Sequence, residues 1–122
     1  MDRVQALKQF WGSFGVEAYD ETDVPDDAQY PYITYNSATD SLGGVVPLHA
    51  DLWFYDASWY SITKLSEAIA KRIKEHGSIT IPFDDGYIYM AGGTPFAQRV
   101  DDPEQDMKRI YINVQAEYLC AY

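Results

Sequence analysis

The sequence predicts an α+β fold, with a mainly antiparallel sheet of about four to five strands packed against two helices in a single domain over residues 1–122. Three observations predict it. Apolar residues recur at steps of three and four in two stretches, the spacing of one helix face. They alternate with polar residues in two other stretches, the spacing of one strand face. Glycine, proline and acidic clusters separate these stretches and mark turns and loops.

Residues 2–14 form the first helix expected, with Val4, Leu7, Phe10, Trp11 and Phe14 on one stripe. Asp2 stands where a negative charge complements the helix dipole, and Gly12 and Gly15 weaken the far end. Glu17 to Asp27 carries six acids in eleven residues plus Pro25, so it repels itself and reads as an extended loop. A calcium loop needs a central glycine and a distal glutamate that this run lacks, so a solvated loop is the preferred reading. Tyr30 to Ala38 is strand-like, and Asp40 to Gly44 offers turn chemistry leading into a hairpin.

The stretch from Val45 to Tyr60 organises the chain. Its even positions Val46, Leu48, Ala50, Leu52 and Phe54 are apolar and should face the core. The odd positions His49, Asp51, Trp53 and Tyr55 mix large aromatics with ionisable groups. That face suits a resting helix or a subunit contact better than open solvent or a sealed core. Pro47 lacks a ladder donor, which puts a strand edge or bulge there. Asp56 or Ser58 can cap a second helix running from about Trp59 to His76. Its stripe is Ile62, Leu65, Ile69 and Ile73; Lys64, Lys71, Arg72 and Lys74 stay wet, and Gly77 stops it.

Ser78–Phe83 and Tyr87–Met90 are short strands joined by Asp84–Asp85–Gly86, a strong hairpin signal. Gly92, Gly93 and Pro95 then break regularity, and residues 101–106 form a second acidic loop. The last element runs to Cys120: Ile110, Ile112, Val114, Ala116, Tyr118 and Cys120 alternate with a semi-polar set, Arg109 to Glu117.

Composition narrows function by exclusion. Nine basic and nineteen acidic residues give a net charge of −10, which argues against gripping duplex DNA. It suits a surface past which nucleic acid slides without sticking, or plain solvation. Eleven tyrosines fit protein–protein surfaces as well as cores. One cysteine makes no intramolecular disulfide, and no leader or membrane-length apolar run is present, so a cytoplasmic origin and no membrane partner are expected. His49 and His76 cannot assemble a metal set. Cys120 and His49 fall on opposite strand faces, so nucleophilic catalysis, and with it an enzyme, is disfavoured; no cofactor is expected.

Three strings carry a resemblance: HADLWFYDASWYSITKLSEAIAKRI, DDGYIYMAGGTPFAQRVDDP and RIYINVQAEYLCAY. Together, over roughly residues 30–122, they resemble small tail-terminator proteins (tail-completion or minor capsid proteins) of long-tailed bacteriophages and prophages. The resemblance implies a cofactor-free structural protein of the virion neck, assembled in the host bacterial cytoplasm. Such proteins form hexameric rings at the head-proximal end of the tail tube, stopping tube growth and joining the tail to the head connector. The implied partners are copies of the chain, the major tail tube protein, the connector or stopper protein, and genomic DNA passing through the lumen.

Ring closure needs heterologous patches. The candidates are the edge near Pro47, His49, Trp53 and Tyr55, and the hairpin bearing Asp85, Tyr87 and Tyr89. An acidic lumen would draw on Asp20, Glu21, Asp23, Asp26 and Asp27, or on residues 101–106. The alternatives are a head-completion or stopper protein, and a small acidic DNA mimic. A mimic should show ordered acid rows on regular elements, whereas many acids here cluster in two loops.

Overall fold

Asp2 begins the first element. Its carboxylate accepts from the Gln5 backbone N–H at 2.8 Å while the Gln5 side chain accepts from the Asp2 N–H at 3.0 Å, a reciprocal capping box. The computed structural model describes residues 1–37, 44–75 and 77–120, the last without its side chain. Helix α1 spans Arg3–Trp11 and continues as a 3-10 turn over Gly12–Phe14. Leu7, Phe10 and Trp11 are buried as the stripe requires, but Val4 is 61% exposed and Ala6 takes its place. Gly15 follows with φ 86°, a left-handed conformation that a side chain would strain.

Six strands follow: β1 Glu17–Asp20, β2 Tyr32–Tyr35, β3 Val45–Tyr55, β4 Ile79–Phe83, β5 Gly86–Val100 and β6 Met107–Cys120. Helix α2, Tyr60–Lys74, lies between β3 and β4 in sequence. The strands form one sheet in the order β1-β2-β3-β6-β5-β4. Neighbours pair antiparallel except β1 and β2, which run parallel from Glu17↔Tyr32 to Asp20↔Tyr35. The sheet is therefore mixed, and it curls into a half-barrel.

This corrects the expected sheet of four to five mainly antiparallel strands. The additional strand is β1, which lies inside the acidic run read as a loop. Its Ala18 is buried in the core, and the Lys8 ammonium donates to the Ala18 carbonyl at 2.8 Å while sitting 5.5 Å from the Tyr19 ring centre. A cation from a neighbouring helix offsets the local acidity that argued against a strand. β5 is also longer than expected. Between Gly92↔Val114 and Ala97↔Ile112 it advances five residues while β6 advances two, so Gly93 to Phe96 bulge and pairing resumes beyond them. Gly93 is needed there, because a Cβ would lie 2.9 Å from that of Asn113 and 3.1 Å from its backbone oxygen.

One face of the sheet carries the core. Val46, Leu48, Ala50 and Leu52 of β3 meet Ile110, Ile112, Val114 and Ala116 of β6 in register. Ile62, Leu65, Ile69 and Ile73 of α2 cover them, while α1 touches both edge strands, β1 and β4. Fully burying each such aliphatic chain stabilises the fold by roughly 1.5–3 kcal/mol. The α2 cap is Trp59, which makes no side-chain capping bond; Ser58 Oγ instead accepts from the Tyr60 N–H at 3.0 Å. Gly77 has φ 83° just past the helix. Pro47 lies within β3 and pairs with Gln115 on β6; the segment that the β2 register would bring opposite it lies outside the described residues. The turn expected at 40–44 falls mostly outside the described residues, as do His76 and the facing of Cys120.

Candidate functional site

Among the described residues, no helix covers the opposite face of the sheet, here called the open face. β3 and β6 pair over eleven positions, from Val45↔Glu117 to Tyr55↔Met107, so the odd-numbered residues of both strands share that face. Tyr87↔Leu119 and Tyr89↔Glu117 extend it across β5. Both helices pack on the other side. Among the described residues, nine large hydrophobics are exposed. Six of them, Tyr30, Val45, Tyr55, Tyr87, Tyr89 and Leu119, lie on this face. Clustered exposure of this kind marks a contact surface rather than scattered surface residues.

The centre of the face is held by charge pairs. Asp51, 5% exposed, accepts from Arg109 Nε at 2.9 Å across the β3–β6 pair. The Arg109 guanidinium also lies 4.7 Å from the Trp53 ring centre, and Trp53 Nε1 donates to Thr34 Oγ1 at 2.9 Å. A nearly buried carboxylate is tolerable only with such a partner. His49 stacks on Tyr111 at 5.3 Å and reaches the Glu21 carboxylate at 2.8 Å. That ring is thus engaged on the open face by an aromatic and an acid.

Beside these pairs runs a chain of aromatic rings. Tyr19 meets Tyr32 at 5.9 Å, Tyr32 meets Trp53 at 6.4 Å and Tyr30 at 5.2 Å, and Tyr30 meets Tyr55 at 6.1 Å. Burial, then neighbouring Tyr30, pushes the Tyr32 phenol above its ordinary pKa. A hydrogen bond to the Glu104 carboxylate raises that of Tyr55. The turn between β5 and β6 therefore sits at the Tyr55 end of the face, where the Asp56 N–H also donates to the Asp106 carbonyl at 2.8 Å.

His49, Trp53, Tyr55, Tyr87 and Tyr89, expected as separate patches, stand on one surface; Asp85 occupies the β4–β5 turn at its end. Sequence reasoning did not single out Tyr30, Tyr111 or Arg109. The β6 alternation puts Arg109 and Tyr111 off the core face, but only the register sets them against Trp53 and Asp51.

The acidic residues divide into two groups. Asp20 accepts from the Thr22 hydroxyl at 2.7 Å and its N–H at 3.0 Å, and from Ser37 at 3.0 Å; the Thr22 bonds lead in holding its pKa below the ordinary value. Glu21 is taken by His49. Asp23, Asp26 and Asp27 are exposed, and their carboxylates have no partner among the described residues. Glu21 and Tyr30 tie both ends of the loop at 21–31 to the open face, one near His49 and the other near Tyr55.

Elsewhere, a groove of about 640 Å³ runs between α1 and edge strand β4, lined by Phe10, Ile79, Ile81, Phe83 and Arg72 among others. No group of three or more His, Cys, Asp or Glu side chains is placed to hold a metal ion among the described residues. No described helix is long and apolar enough to cross a membrane. Comparison with protein-family models and with curated proteins returned no match for this chain.

Proposed function

We propose that the chain is a structural protomer of the tail-terminator kind, forming a ring at the head-proximal end of a phage tail tube. There it would stop tube growth and join the tail to the head connector. One observation carries the reading: an uncovered sheet face bears six of the nine exposed large hydrophobics among the described residues, around a rigid centre of charge pairs. Clustered exposed aromatics of this kind mark a surface that another protein covers. The resemblance of the three strings supplies the kind of assembly.

In such a ring the unpartnered carboxylates Asp23, Asp26 and Asp27 face the bore, where negative charge lets DNA pass without adhering. The reading is favoured over a DNA mimic because the longest helix is basic. α2 carries Lys64, Lys71, Arg72 and Lys74 against Glu67, 4 − 1 = +3. A stopper protein one ring nearer the capsid would use the same kind of surface and differs in its neighbour.

The test is mass in solution and location in particles. A multi-copy species that binds the major tail tube protein and is found at the head-proximal end of isolated tails is the expected result. Binding to the portal side instead would assign the stopper position. A strict monomer that never enters particles would overturn the reading.

A further inference from the structure

The open face has a particular chemistry. It is aromatic at both ends, and carboxylates ring it: Asp85 at the β4–β5 turn, Glu104 beside Tyr55, and the acidic loop along the β1 side. Arg109, the one arginine on it among the described residues, is already committed to Asp51. Whatever covers it should be apolar in part and positively charged.

The chain itself offers such a surface on its other side. Helix α2 turns Ile62, Leu65, Ile69 and Ile73 to the core and leaves Tyr60, Lys64, Lys71 and Lys74 outside. Tyr60 is 68% exposed and lies under the Lys64 ammonium, 5.4 Å from its ring centre. With Lys64, Lys71, Arg72 and Lys74, the helix holds four of the nine basic residues in a chain of net charge −10. Among the described residues only Lys64 is paired with a carboxylate, Glu67 at 3.4 Å, and that pair is exposed. Among the described residues, the helix carries the largest share of the basic side chains of an acidic molecule.

We infer that the open sheet face of one copy is covered by the outer face of α2 from a second copy. This deepens the ring reading above and rests on it. The two surfaces lie on opposite sides of the sheet, so neither can meet its own partner within one chain. The contact between copies is therefore head-to-tail, and a head-to-tail contact closes into a ring when its rotation permits. Complementary charge speeds encounter and fixes orientation, while Tyr60, Tyr55, Tyr87 and Tyr89 supply the apolar area.

A pair of half-disabled chains tests this. Lys64→Glu with Lys71→Glu alters only the helix face, and Tyr87→Lys with Tyr89→Lys only the sheet face; circular dichroism and thermal melting confirm that both fold. By sedimentation, the unaltered chain should be multi-copy and weakened by salt, and each variant alone should be monomeric. Mixed one to one they should give a heterodimer and nothing larger, because one good sheet face meets one good helix face. Assembly of the helix variant at the unaltered mass would overturn the pairing while leaving the ring reading standing. Two monomeric variants that fail to pair on mixing would do the same, and would point to another basic protein as the cover. An unaltered chain that is monomeric and never enters particles would overturn both.

Discussion

The two faces of the same sheet follow opposite rules. On the covered face, Leu52, Ile112 and Ile88 are fully buried under the helices, and the surroundings are almost wholly apolar. On the open face, strands of the same length carry Trp53, Tyr111 and Tyr32 beside Asp51, Arg109 and His49. Non-directional burial holds the first; stacking, hydrogen bonds and ion pairs hold the second. The covered face can be relied on for stability. The open face is cross-linked by hydrogen bonds, ion pairs and ring contacts without being sealed, which suits a docking surface.

That contrast can be broken most severely on the covered side. Ile112→Ala removes a side chain with no exposure and should cost about 2–5 kcal/mol in chemical denaturation. Tyr89→Ser on the open face should stay within about 0.5 kcal/mol of the unaltered chain while weakening self-association. Equal losses of stability would erase the distinction between the faces.

Next in size is the open face's own centre. Arg109→Met strands the nearly buried Asp51 carboxylate and should cost about 1–3 kcal/mol. Adding Asp51→Asn should recover part of that loss, read as coupling in a double-mutant cycle. If the two losses simply add, the pair is not holding the face. Gly93→Ala should cost a similar amount, about 1–3 kcal/mol, because the new methyl meets the Asn113 backbone at the bulge.

Alkaline titration sharpens the comparison further. Burial raises the phenols of Tyr35 and Tyr118, on the covered face, and Tyr32, on the open one. A phenol whose folded pKa is raised contributes stability that is intact below its unfolded value of 10.0 and is lost as pH climbs past it. Phenolate absorbance should therefore lag behind that of free tyrosine, then rise together with loss of the fold. The smallest effect belongs to Glu21→Gln. Its pairing with His49 is partly exposed, so the change should be about 0–1 kcal/mol and should fade with salt.

Periodicity by itself determined the covered half of this protein. The α2 stripe, the even positions of β3, the alternation of β6 and the Asp84–Gly86 turn are legible because one buried face imposes a period of 3.6 or 2 on the residues behind it. Two features escaped that logic. β1 is only four residues long inside an acidic run, and it is a strand because Lys8 and the edge of β2 meet it there. β5 continues past Gly92 and Pro95 because β6, already in place, restores the register beyond the bulge. The open face was legible only in part. The odd positions of β3 showed its mixed chemistry, but Arg109 meeting Asp51, and Tyr87 and Tyr89 sharing a surface with Trp53, depend on cross-strand register. Register is set by contacts between residues some tens of positions apart, and only the tertiary structure could decide it.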